Sequence, residues 1–269
     1  TVFDGKQSIL LDKWPQYQES LVNEEIEESF DIMKDVVSIS SAARMKGKLK
    51  RRWPLNEAQI CVKKNQKIKL ESLSDLLKSQ LNIEKFNIVE TEQENGLEQL
   101  LELKKLRLPV KSTLELERKK IGPKAKQHMG KLVSAFSETN PDEIISALQK
   151  NGKYDFKIDN EVISLDKEDF IVSFDANENF AVAKRDEFIV FISTLRNKEM
   201  MAKGLVKDVA RRLQTLRKER GYNPTDVLEV ASILELDEES LKMIKNRDEE
   251  LAFLVRVKKV NFEESCKEY

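Results

Sequence analysis

The chain reads as an α+β protein of several units: a helical segment, then two small mixed units, the last combining an antiparallel β-meander with a basic amphipathic helix. Three observations predict this. Apolar residues recur at helical spacing from Glu24 to Gly47, short Val/Ile/Phe-rich runs punctuated by turn residues fill 153–193, and a long helical pattern follows at 199–220. The expected divisions are 1–55 (end of a helical bundle), 56–150 (a small α+β junction) and 151–269 (a C-terminal α+β unit).

Each element has a local reason. Residues 1–15 form a polar lead, a small apolar cluster and a Trp14-Pro15 stop. From Glu24, the apolar positions Ile26, Phe30, Met33 and Val37 oppose an acidic face of Glu24, Glu27, Glu28, Asp31 and Asp35. Acidic residues at the start, and Arg44 and Lys46 at the end, suit the helix dipole, and Gly47 stops it. Trp53-Pro54 enforces extended backbone, so a strand is expected at 57–62. Helix and strand then alternate: a helix at 71–81, a strand at 85–91 and a short helix at 97–106. Past Gly122-Pro123 come a helix at 124–137 and, capped by Asn140-Pro141, another at 142–150 that Asn151-Gly152 breaks. The five runs YDFKI, EVISL, DFIVSF, NFAVA and EFIVFIS form the meander. After the helix at 199–220 and Gly221 come a strand at 226–231, a helix at 238–253 and a strand near 255–262. No internal repeat is evident.

Much chemistry is excluded. Cys61 and Cys266 stand alone, without the paired spacing of a disulfide scaffold or a cysteine zinc site, and read as reduced thiols. No apolar run reaches the ~20 residues of a membrane span. The lone histidine, His128, reads as an exposed residue of a lysine-rich helix. Neither a phosphate-cradling glycine loop nor a nucleophile–histidine pair can be assembled. Catalysis by this chain alone is not expected. Thr1 is not a start methionine, so the sequence reads as an excised piece.

The charge pattern is more informative. Net charge is −1, from 47 basic and 48 acidic residues, but the signs are segregated. Residues 44–52 hold Arg44, Lys46, Lys48, Lys50, Arg51 and Arg52 with no anion. A second basic stretch spans 104–131 and includes Lys124 and Lys126, and a third is 203–220. Local fields of this kind attract polyanions even where the total is neutral. In 203–220, Leu205, Val209, Leu213 and Leu216 form an apolar stripe to bury against the preceding sheet. Lys207, Arg211, Gln214 and Lys218 fall opposite, with Arg217 nearby. Such a ladder, ~5–6 Å per rung, is close to the spacing of backbone phosphates. It is equally a solvated face in which Asp208 pairs with Arg211 and Arg212. Arg51, Arg52 and Trp53 offer stacking planes for unpaired bases; Trp53 is otherwise a core residue.

These residues resemble the isoleucyl-tRNA synthetases. Ser8-Ile-Leu-Leu-Asp-Lys-Trp-Pro15 is similar to the Ser-Val-His-Leu-x-x-Trp-Pro of the family's anticodon-binding bundle. Ala42-Ala43-Arg44 and Lys48-Leu-Lys-Arg-Arg-Trp-Pro-Leu55 resemble its Ala-Ala-Arg and Ile-Lys-x-Arg-x-Pro-Leu. Gly122-Pro123-Lys124 resembles Leu-Gly-Pro-Lys, and 204–226 resembles Gly-Leu-Ala-Arg-Glu-x-x-Arg-Arg-Ile-Gln-x-Leu-Arg-Lys and the Thr-Asp after it. Leu10 stands for the usual histidine, Lys207 for an arginine, and 111–121 is unusually charged. The missing cysteine zinc module favours the archaeal/eukaryotic branch.

The resemblance implies the remnant of a helical anticodon-binding bundle with appended α+β units, gripping tRNA(Ile) through the cations named above. It implies a cytoplasmic, monomeric enzyme whose ATP- and magnesium-dependent isoleucylation and editing reside in the remainder of the synthetase chain. One histidine cannot supply the family's His-x-Gly-His, and Lys242-Met-Ile-Lys-Asn246 only mimics Lys-Met-Ser-Lys-Ser. This chain therefore needs no cofactor of its own. Two other readings stay open: a protein–protein assembly module using the acidic 235–250 segment, and the equivalent region of a valyl- or leucyl-tRNA synthetase.

Overall fold

A computed structural model describes residues 16–93 and 95–263. The Ser8–Pro15 motif and Cys266 lie outside the described residues. Helix α1 (Glu24–Lys46) starts where the Asn23 side chain accepts the Ile26 N–H and ends at Gly47. Its buried stripe is Ile32, Met33, Val36, Ile39 and Ala43, one step round from the expected face, and Ile26 is exposed. Strand β1 (Leu55–Val62), helices α2 (Lys64–Ser72) and α3 (Ser74–Leu81), and strand β2 (Ile83–Glu90) follow. β1 and β2 pair in parallel, Leu55 opposite Ile83, which requires the helical crossover between them.

A middle unit comprises α4 (Gly96–Lys105), β3 (Val110–Leu116), α5 (Arg118–Ala125), α6 (Met129–Glu138), α7 (Pro141–Asn151), β4 (Lys153–Ile158), β5 (Glu161–Asp166) and β6 (Phe170–Ala176). Next come β7 (Phe180–Arg185) and β8 (Phe188–Ser193). The five β-rich runs are not one meander. β4 and β5 form a hairpin, β6 pairs with β3, and β8 pairs antiparallel with β1, giving the sheet order β2-β1-β8-β7. The six residues of β8 are all buried, between α1 on one face and Cys61, Leu103 and Phe191 on the other. Burial pushes the Cys61 thiol up to about 12, aided by the Glu102 charge. Because β7 and β8 complete the sheet of β1 and β2, the cuts expected at 55/56 and 150/151 do not follow the cores.

The last unit has α8 (Lys198–Glu219), β9 (Leu228–Leu234), α9 (Glu238–Ile244), α10 (Asp248–Val255) and β10 (Val257–Glu263). α8 packs on α9 and α10, not on the preceding sheet. Its buried stripe is Met200, Ala202, Gly204, Val206 and Ala210; Leu205, Val209 and Leu213 only flank it, and Leu216 is exposed. The single helix expected at 238–253 is two helices broken at Lys245–Arg247.

The structure contains an internal duplication that the sequence conceals. The order α1-β1-α2-α3-β2 recurs as α8-β9-α9-α10-β10, and β9 and β10 again pair in parallel. In each copy an arginine lies eleven residues before the first strand (44 to 55, 217 to 228). Both bond the carbonyls six and nine residues on: Arg44 reaches Lys50 (3.2 Å) and Trp53 (3.0 Å), Arg217 reaches Asn223 (3.3 Å) and Asp226 (2.7 Å). Both also bond the last two carbonyls before the second strand, Leu81 and Asn82 (2.7 and 3.3 Å) or Val255 and Arg256 (2.8 and 3.1 Å). The five-donor guanidinium fork suits this task. The helix ends match as well. Lys48 (φ 52°) and Gly221 (φ 77°) are left-handed, and the next amides, of Leu49 and Tyr222, donate to the carbonyls of Arg44 and Arg217. Asn82 and Arg256, also left-handed, accept from the first strand's Leu55 and Leu228.

Candidate nucleic-acid interface

The loop after α1 and the first half of α8 meet around Trp53. Its indole lies so close to Gly204 that an added Cβ there would sit 2.4 Å from the ring. That contact explains a glycine in mid-helix, where alanine is ordinarily preferred by ~0.5–1 kcal/mol. The Trp53 N–H donates to Asp208 (3.0 Å), and the Lys50 ammonium and Arg196 guanidinium lie 5.3 and 4.9 Å from the ring centre. Trp53 is therefore a half-buried joint and not an open platform for bases.

Asp208 anchors the joint. It accepts from Lys50 (2.6 Å), lies 3.7 Å from Arg52, and leaves Arg211 and Arg212, its expected partners, unpaired. Burial opposes its charge, yet the hydrogen bonds from Lys50 and Trp53 and the fields of Lys50 and Arg52 hold its carboxyl below the usual aspartate range. Beside it runs an open groove of about 570 Å³ lined by Lys50, Arg52, Arg211 and Arg212 against Asp208 and Glu219. Arg51, Arg211 and Arg212 are exposed and have no carboxylate within ion-pairing distance among the described residues. The groove thus keeps an excess of cations.

Other expected contact residues are placed differently. Arg44 is buried, and burial with the fields of Arg51 and Arg196 lowers its pKa to about 10. Its donors are spent on backbone carbonyls, as are those of Arg217, and Gln214 donates to the Leu254 carbonyl (2.9 Å). Lys207 is half-buried and reaches Asn82 (3.4 Å). Lys124 is held by Asp166 (3.0 Å) and by the buried Asp169. Lys46, Lys48, Lys126 and Lys218 are exposed, Lys126 in the middle unit away from the groove lining. His128 is not freely exposed: its ring is 16% accessible and lies 3.5 Å from Glu161 and 3.7 Å from Asp159. Arg196 and Arg212 were not singled out by the helical stripe. Arg212 lies one step outside it, and Arg196 precedes the helix.

No group of His, Cys, Asp and Glu among the described residues is placed to hold a metal ion, and no described helix is long and apolar enough to cross a membrane. Residues 1–60 match the family described as the anticodon-binding domain of tRNA ligase. Isoleucine–tRNA ligase of Sulfolobus acidocaldarius is 27% identical over 82% of this chain and 20% of its own length. That of Saccharolobus solfataricus is 28% identical over 92% and 24%. That of Bacteroides fragilis is 28% identical over 84% and 19%, so the likeness does not single out the archaeal/eukaryotic branch. The chain spans about a fifth of the length of these relatives. With the family match over the α1 segment and this likeness along the rest, the chain belongs with the anticodon-binding regions of the isoleucine–tRNA ligases.

Proposed function

We propose that the chain holds the anticodon arm of tRNA(Ile) for a cytoplasmic isoleucine–tRNA ligase whose ATP- and magnesium-dependent chemistry resides in other parts of the protein. The groove between the 50–52 loop and α8 takes the RNA backbone. The observation that carries this reading is its charge excess, with Arg51, Arg211 and Arg212 free to meet phosphates. Lys50 and Arg52 share one carboxylate and keep further donor capacity. Lys46, Lys48 and Lys218 extend the field, which orients RNA without reading its sequence.

The test is a salt titration of tRNA(Ile) binding to the chain. Each single-strand phosphate neutralised contributes about −0.7 to the slope of log affinity against log salt. The double substitution Arg211→Glu and Arg212→Glu should weaken binding and flatten that slope by roughly 1.4. Lys120→Glu, in the middle unit and paired with Glu168, should leave both unchanged. A salt-independent affinity, or equal binding to an unrelated acidic polymer, rules the reading out.

A further inference from the structure

The duplicated skeleton poses the same corner twice, and only the first copy is closed. In the first copy Leu49 is buried, close against Gly47 and Ala181 of the β7–β8 hairpin that completes the sheet. In the last unit no hairpin lies beside β9, whose sheet has two strands. The position of Leu49 is taken by Tyr222, 46% exposed. A cleft of about 480 Å³ remains, within the ~300–1,000 Å³ usual for ligand sites. Leu254 and Pro224 give it apolar walls, and Tyr222 gives it an aromatic one.

The replacements between the copies run in one chemical direction. Met45 of the first corner becomes Lys218, Leu49 becomes Tyr222, and Asn82 becomes Arg256; all three new residues line the cleft. The loop itself loses Lys50, Arg51 and Arg52 to Asn223, Pro224 and Thr225, so positive charge moves from the loop to the cleft walls. No carboxylate lines it. The Asn223 carboxamide, which has no hydrogen-bond partner among the described residues, supplies a free donor and acceptor. Arg217 ties loop 223–226 to the 255–256 corner, and Gln214 fixes Leu254, so the walls are already set. Fixed walls lower the entropic cost of binding.

We propose that this cleft binds one unpaired RNA nucleotide. Its base stacks on Tyr222, its edge meets Asn223, and its phosphate meets Lys218 and Arg256. Unpaired bases are held by such combinations of an aromatic face, edge hydrogen bonds and flanking cations. The inference rests on the tRNA reading and deepens it. The first corner supplies the charge argument: its own neighbour, α8, presents Asp208 to the loop cations. An anion is likewise the complement of Lys218 and Arg256.

The test uses an anticodon stem–loop RNA carrying 2-aminopurine at one loop position at a time. The wild-type chain should quench one position selectively. Tyr222→Phe should keep the quenching; Tyr222→Leu should abolish it and weaken binding on the order of tenfold. Asn223→Ala, at an exposed and unpartnered side chain, should also weaken binding without lowering the melting temperature. Quenching that survives Tyr222→Leu overturns the proposal. If Arg211→Glu/Arg212→Glu still flattens the salt slope, the groove reading stands while the cleft falls; if it does not, both fall. RNA binding that ignores Tyr222 but follows the groove leaves the open corner to a protein strand, as its twin accepts the β7–β8 hairpin.

Discussion

The first and last units share a skeleton but not a surface. Both hang a loop and the end of a parallel strand pair from one arginine at a helix terminus. The first then adds two strands and a large core; the last stops at two strands around seven buried residues. The difference teaches that backbone carbonyls, more than side-chain identity, define the repeated element. Between 44–55 and 217–228 only the arginine and the final leucine coincide. What the helix end exposes is then free to diverge, and it has become an apolar joint in one copy and a cationic cleft in the other.

The largest expected effect tests whether the two arginines do the same work. Arg44→Ala removes donors from four carbonyls in a buried setting. At ~1.5–3 kcal/mol for each hydrogen bond to a charged group, and less than additive, the loss should be about 3–4 kcal/mol. Arg217→Ala, at a more accessible site, should cost about 2 kcal/mol and act on the last unit. Denaturant unfolding measures both, and hydrogen exchange at the Leu55 and Leu228 amides localises each effect. If Arg217→Ala proves neutral, the equivalence is of shape alone.

Next in size is Gly204→Ala, which probes the joint present only in the first copy. The new methyl meets Trp53 ring carbons at 2.4–2.8 Å, too close without moving the indole. Overpacking of this kind costs ~1–3 kcal/mol. The Trp53 emission should shift as its bond to Asp208 loosens, and the groove's two walls should part. Salt-dependent RNA binding should therefore weaken although no cation has been touched. A variant as stable as the parent, with unchanged emission, would show that the two walls are not coupled through this ring.

Much of the architecture was legible in local signals. The helix from Glu24 to Gly47, the strand after Trp53-Pro54 and the helix capped by Asn140-Pro141 all have caps or breakers adjacent in sequence. Strand partnership was not. β8 joins β1 across the whole middle unit, and nothing in EFIVFIS distinguishes that partner from the neighbouring hairpin. The cationic site was half legible for a related reason. A cation's neighbour is set by tertiary contact: Lys124 reads like Arg211 in sequence, but Asp166 and Asp169 claim it. Arg44 and Arg217 read as phosphate ligands because one residue type serves phosphate and carbonyl alike. The left-handed residue four positions after each arginine, Lys48 or Gly221, was a signal, but only Gly221 carries it in its identity.

That last pair yields the smallest expected effect and the sharpest one, because its sign differs between copies. Lys48 and Gly221 occupy the same left-handed position. A side chain there costs roughly 1 kcal/mol through contact of Cβ with the following carbonyl, and glycine avoids this. Lys48→Gly should therefore raise stability by up to about 1 kcal/mol, less the extra freedom glycine has when unfolded. Gly221→Ala should lower it by about 1 kcal/mol, with nothing within 4 Å of the new methyl to add a clash. Opposite shifts in denaturation midpoint are the expected result. Shifts of the same sign would mean that the two helix ends, alike in hydrogen bonding, are not equivalent in strain.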